Sequence, residues 1–76
     1  MNKQRRKSLN KLFEKLEEVK SDLESLKDEE EEYRDNMPEN LQGAERYEKA
    51  EDACNSLDSA ISSMEEAVDY MTEATD

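Results

Sequence analysis

The residues of this 76-residue chain that could do chemistry crowd into the stretch KDEEEEYRDNMPENLQGAERYE, residues 27–48. Five consecutive acids, Asp28, Glu29, Glu30, Glu31 and Glu32, are followed by Asp35, Glu39, Glu45 and Glu48, and then by Glu51 and Asp52. Carboxylates have three uses: ligating a hard cation, moving a proton, or presenting negative charge to a cationic surface. The loop of an EF-hand needs acids at alternate positions, then a glycine and a later Glu, and that series is absent. Contiguous acids on a helix point in different directions. Proton transfer needs a positioned partner, and the chain has no His; Glu30 therefore has no catalytic neighbour. The single Cys, Cys54, cannot form an intramolecular disulfide or a multi-thiolate zinc site, and no base or Gly-rich phosphate loop accompanies it. Neither catalysis nor a cofactor is expected, which leaves surface charge as the chemistry of this stretch.

Composition limits what can position that surface. Charged residues make up 43% and hydrophobic residues 33%, values shared by disordered chains and by long solvated helices, so periodicity has to decide. Leu9, Leu12, Leu16, Val19, Leu23, Leu26, Glu30, Tyr33 and Met37 recur in alternating steps of three and four, the heptad spacing of a helix seam, broken only by Glu30. Tyr47, Ala50, Cys54, Leu57, Ile61, Met64, Val68 and Met71 repeat the pattern without a break. Two long helices are expected, residues 5–35 and 44–73. The connector is 36–43, where Pro38 disfavours helical geometry at Met37 and Gly43 permits a turn. Long amphipathic helices joined by a short connector pack antiparallel. The fold expected is an all-α, coiled-coil-like hairpin forming a single domain.

Charge gives the pairing a test. With Leu9 and Tyr47 at heptad position a, the e positions of the first helix after Phe13 are Lys20, Lys27 and Arg34; those of the second are Glu51, Asp58, Glu65 and Thr72. Basic faces acidic. A register centred on the connector stacks Leu9 on Met71, Leu16 on Met64 and Leu23 on Leu57, with Leu26 on Cys54 and Tyr33 near Tyr47. It places Lys27 beside Glu51 and Lys20 beside Asp58. Exposed ion pairs contribute little, so these specify orientation more than they stabilise. Cys54 falls in the core as a small hydrophobe. Glu30 is placed to accept a hydrogen bond from Tyr47 or to stay uncovered near the connector, and Tyr70, at c, lies outside the seam. Ala53, Ala60, Ala67 and Ala74 all occupy g, and Phe13 occupies e. Both lie outside a two-helix seam and would stay wet in a lone hairpin. Pairing of two hairpins into a homodimeric four-helix bundle is therefore expected, in keeping with a chain near the size limit for a self-sufficient core.

The net charge of −11 is uneven. Residues 21–52 hold thirteen acids against Lys27, Arg34, Arg46 and Lys49, a net charge of −9 at the tip of the hairpin. Lys3, Arg5, Arg6, Lys7 and Lys11 precede the first acid, and antiparallel folding lays them beside the acids of residues 58–76, so those ends neutralise each other. No apolar stretch approaches the ~20 residues of a membrane span, and the basic start lacks a signal-peptide core, so a cytoplasmic protein without membrane contact is expected. Direct contact with nucleic acid is disfavoured by charge. A basic surface is the favoured partner.

The segment EEYRDNMPENLQGAERYEKAEDACNSLDSAISSMEEA, about half the chain, resembles small acidic helical-hairpin proteins of phages and mobile elements of Gram-positive bacteria, through its DNMPENLQ connector and the Ala-spaced heptads that follow. That resemblance carries no residue roles. It implies a context in which small acidic proteins often inhibit DNA repair, restriction or CRISPR enzymes by imitating nucleic acid. The corresponding expectation is a non-enzymatic inhibitor in which Asp28, Glu29, Glu31, Glu32, Asp35, Glu39, Glu45, Glu48 and Asp52 occupy the basic groove of a nucleic-acid-binding protein. The alternative is a coiled-coil assembly module whose acids only keep it in solution.

Overall fold

A computed structural model describes residues 1–38 and 44–75. It consists of two antiparallel helices, α1 (Lys3–Asp35) and α2 (Glu45–Thr75), lying side by side in a rod of 59 × 16 × 12 Å. The helical hairpin is as the heptads predict. α1 starts two residues before the expected residue 5, because Asn2 caps it. Asn2 is extended, and its Oδ1 accepts the Arg5 N–H at 2.8 Å while its carbonyl accepts the Arg6 N–H at 3.0 Å. After Asp35 the Asn36 N–H still reaches the Glu32 carbonyl (2.9 Å), and Pro38, which has no N–H to donate, follows Met37. α2 opens with the Ala44 carbonyl accepting from the N–H groups of Tyr47 and Glu48, at 3.0 and 3.2 Å. It runs two residues past the expected 73, its last turns carrying hydroxyl bonds from Thr72 to the Val68 carbonyl and from Thr75 to the Thr72 carbonyl. Gly43, expected to permit the turn, lies outside the described residues with the rest of 39–43.

The packing departs from the expected seam in one systematic way. Among the described residues the buried ones are Met37, Ala50, Cys54 and Ile61, so α2 contributes three and α1 none. On α1 the half-buried positions are Leu9, Phe13, Leu16, Lys20, Leu23, Lys27, Glu30 and Arg34, which are a and e, together with Glu31 at b, which lies against Lys27. The d residues expected in the core are exposed instead: Leu12 49%, Val19 49%, Leu26 53% and Tyr33 46%. Relative to an a/d seam, α1 is turned by about 50° about its own axis. Phe13, expected outside the seam, lies at its edge, and Met37 just after α1, rather than Tyr33, is buried at this end.

The cause is the chemistry of position e. Lys and Arg carry alkyl stems that cover apolar surface while their charged heads reach outward. Turning e inward lays the stems of Lys20, Lys27 and Arg34 along α2, leaving their side chains about three-quarters covered (24%, 26% and 23% exposed). Turning d inward would cover more leucine but leave the α2 acids without cations.

Candidate interaction surface

The hairpin has two long edges of opposite character. Along the first, the e positions of both helices meet: Lys20 Nζ lies 3.3 Å from Glu65 Oε1, and Lys27 Nζ lies 2.8 Å from Asp58 Oδ1. The expected partners were Asp58 and Glu51, so each lysine is paired seven residues further along α2 than the sequence register placed it. Acids at Glu51, Asp58 and Glu65 present the same face, so a slip of one heptad preserves the charge match. The hydrogen bond from Lys20 to Glu65 raises the Lys20 pKa above its ordinary value, and the bond from Lys27 to Asp58 does the same for Lys27. Lys27 also lies 3.6 Å from Glu31, one turn away on its own helix.

The acidic end follows from the same rotation. Asp28, Glu29, Glu32, Asp35, Glu45, Glu48 and Asp52 are exposed, whereas Glu31 is half-buried against Lys27. Arg34 Nε donates to Asp35 at 3.0 Å, and this bond raises the Arg34 pKa; Lys49 lies 3.1 Å from Glu45. Three of the four basic residues near this end are therefore engaged within the chain. Asp28, Glu29, Glu32, Glu48 and Asp52 have no cation within 4 Å among the described residues. Glu39 lies outside the described residues.

The second edge is apolar. Because the e positions define the first, d of α1 and g of α2 fall on the other by helix geometry. Leu12, Val19, Leu26 and Tyr33 recur there every seven residues, beside half-buried Ala53, Ala60 and Ala67; Ala74 is exposed. An open groove at one end is lined by Leu12, Lys15, Leu16, Val19 and Met71. Another, near the connector, is lined by Glu29, Glu32, Tyr33, Asn36, Met37, Pro38 and Arg46. The heptads name every apolar member of this edge but assign the d residues to the core. The signal that they lie outside it was the run of cations at e facing acids at e, together with Glu30 at a.

Cys54 is buried, and burial pushes its thiol up, away from reactivity. Tyr70 is exposed, and no hydrogen bond joins Tyr47 to Glu30 among the described residues. Among those residues no three carboxylate or thiol groups converge to hold a metal ion, and no helix is long and apolar enough to cross a membrane. No protein-family profile matches the sequence, and neither curated proteins nor solved structures provide a match.

Proposed function

We propose that the protein acts by contact rather than catalysis, its acidic end occupying a basic groove of a nucleic-acid-binding protein and excluding the nucleic acid from it. One observation carries this reading: Asp28, Glu48 and Asp52 stand exposed with no cation within 4 Å among the described residues, while the nearby Lys27, Arg34 and Lys49 are engaged. Charge left unneutralised on a rigid helical surface is available to a partner. Successive helical turns space such charges by ~5.4 Å, a repeat comparable to that of phosphates along a strand. The phage and mobile-element context implied by the sequence resemblance supports an inhibitor. The second reading, an assembly module, is favoured by the exposed d-position stripe.

The two separate by experiment. The chain is immobilised, bacterial lysate is passed over it, and retained proteins are identified by mass spectrometry. The inhibitor reading expects a basic nucleic-acid-binding protein that duplex DNA or RNA displaces and that raised salt releases. Combined Asp28→Asn, Glu48→Gln and Asp52→Asn should abolish its retention. Glu66→Gln, Asp69→Asn and Glu73→Gln, which remove the same charge elsewhere, should not. Equal retention by both triple variants, or a target that holds nucleic acid and this chain together, defeats the inhibitor reading.

A further inference from the structure

We propose that the apolar edge binds a second copy of this chain head to tail, α1 against α1, with a two-fold axis perpendicular to the rod. This goes beyond the function proposed above and does not depend on it. The exposed d residues form a self-complementary row. When a second α1 is laid antiparallel with the axis passing near Asp22 and Leu23, Leu12 meets the partner's Tyr33, and Val19 meets the partner's Leu26. Four separate exposed residues become two pairs of contacts, each made twice.

The charges beside the row choose the direction. Lys11 and Lys15 flank Leu12, with Lys15 lining the groove at that end; Glu29 and Glu32 flank Tyr33 and line the groove at the other. Antiparallel docking sets Lys15 opposite the partner's Glu29 and Lys11 opposite the partner's Glu32. The opposite arrangement, with the axis along the rod, would bring the two −9 tips to the same end. Arg46, also in the tip groove, is outnumbered there by the two glutamates. The one like-charge approach is Asp22 near its own copy across the axis.

Helix electrostatics point the same way. An isolated helix favours acids in its first turn and bases in its last. α1 has no acid in its first turn, where Lys3, Arg5 and Arg6 lie, and Arg34 alone among five acids near its last. This gradient is unfavourable in one helix and complementary when a second α1 lies reversed beside it. The face is also large enough: a rod 59 by 16 Å presents about 900 Å² per copy, against ~800 Å² per partner in a standard interface. Half-buried Ala53, Ala60 and Ala67 on the same edge let the two α2 helices approach closely. The pairing covers Glu29 and Glu32 but leaves Asp28, Glu48 and Asp52 on the outer faces, so the contact function and the dimer are separable.

Sedimentation equilibrium of the unaltered chain, with circular dichroism on the same samples, tests the pairing. The expected mass is near twice 8.9 kDa at tens of micromolar. Val19→Glu lies at an exposed position, so helicity should persist while the dimer dissociation constant rises by at least about tenfold, the equivalent of ~1.4 kcal/mol. Orientation is read by charge exchange: Lys15→Glu and Glu29→Lys should each weaken the dimer, and the two together in one chain should restore it. A native-like helical monomer at hundreds of micromolar overturns the proposal and leaves the stripe to a partner of another sequence. A dimer unaffected by Val19→Glu shows that another face is used. A double exchange no tighter than either single one excludes head-to-tail docking.

Discussion

α1 and α2 are nearly equal in length, 33 and 31 residues, yet they use their apolar side chains oppositely. α1 carries five of the seven leucines of the chain and buries none of them; α2 carries one leucine and supplies Ala50, Cys54 and Ile61 to the core. Leucine content states how much surface needs cover, not which neighbour covers it. Within the hairpin, α2 offers a narrow apolar wall of small and medium residues. α1 closes on it partly with the stems of Lys20, Lys27 and Arg34 and holds Leu12, Val19 and Leu26 outside.

The sharpest way to break that contrast is to place the same charge on each helix. Ile61→Asp on α2 buries an unpaired carboxylate, at a cost of at least ~3 kcal/mol, and should abolish cooperative thermal unfolding by circular dichroism in so small a core. Leu26→Asp on α1, at a position half exposed in the hairpin, should leave helicity largely intact. Equal loss from both would place α1 position d back in the core. A smaller effect separates stem from charge. Lys27→Met keeps the alkyl cover and removes the bond to Asp58, whereas Lys27→Ala removes both, so Ala should lower the melting temperature more than Met does.

The smallest effect is expected from pH. The folded pKa of Cys54 is raised by burial from an ordinary 9.0, and those of Lys20 and Lys27 are raised by their acid partners from 10.5. Each group holds its proton more tightly when folded. Its contribution is therefore complete below the unfolded pKa and is lost as pH rises through the folded one. Melting temperature should fall first above pH 9, and Cys54→Ala should remove that first part of the decline.

Much of this architecture was legible in the residues. The two three-and-four series, interrupted only at Glu30, gave both helices and their antiparallel pairing, Pro38 gave the end of α1, and the basic and acidic e positions gave the edge on which the ion pairs form. The rotation of α1 and the partners of Lys20 and Lys27 were not legible. Heptad spacing cannot distinguish pairing of Lys27 with Glu51 from pairing with Asp58, because both acids occupy e. Apolar counting also ranks Leu12 and Leu26 above Lys20 and Lys27 as core residues, since it gives no credit to alkyl stems. The acids at the tip were evident from sequence; that Glu31 and Asp35 are engaged within the chain while Asp28 and Asp52 are not depends on side-chain placement.

The four residues buried among the described ones are not spread evenly along the rod: Met37 follows α1 directly, Ala50, Cys54 and Ile61 lie in the first two-thirds of α2, and α1 holds none. Contacts between the end of α1 and the first turns of α2 close a short loop, whereas joining Leu9 to the last turns of α2 closes one several times longer. Loop-closure entropy rises by ~0.6 kcal/mol per doubling, so contacts near the connector are expected to form first, where the buried residues also lie. Folding is therefore expected to proceed as a zipper from the connector outward, with opening beginning at the far end, where Lys3 and Thr75 lie. Amide hydrogen exchange should be graded along both helices, slowest around Cys54 and fastest near their distal termini.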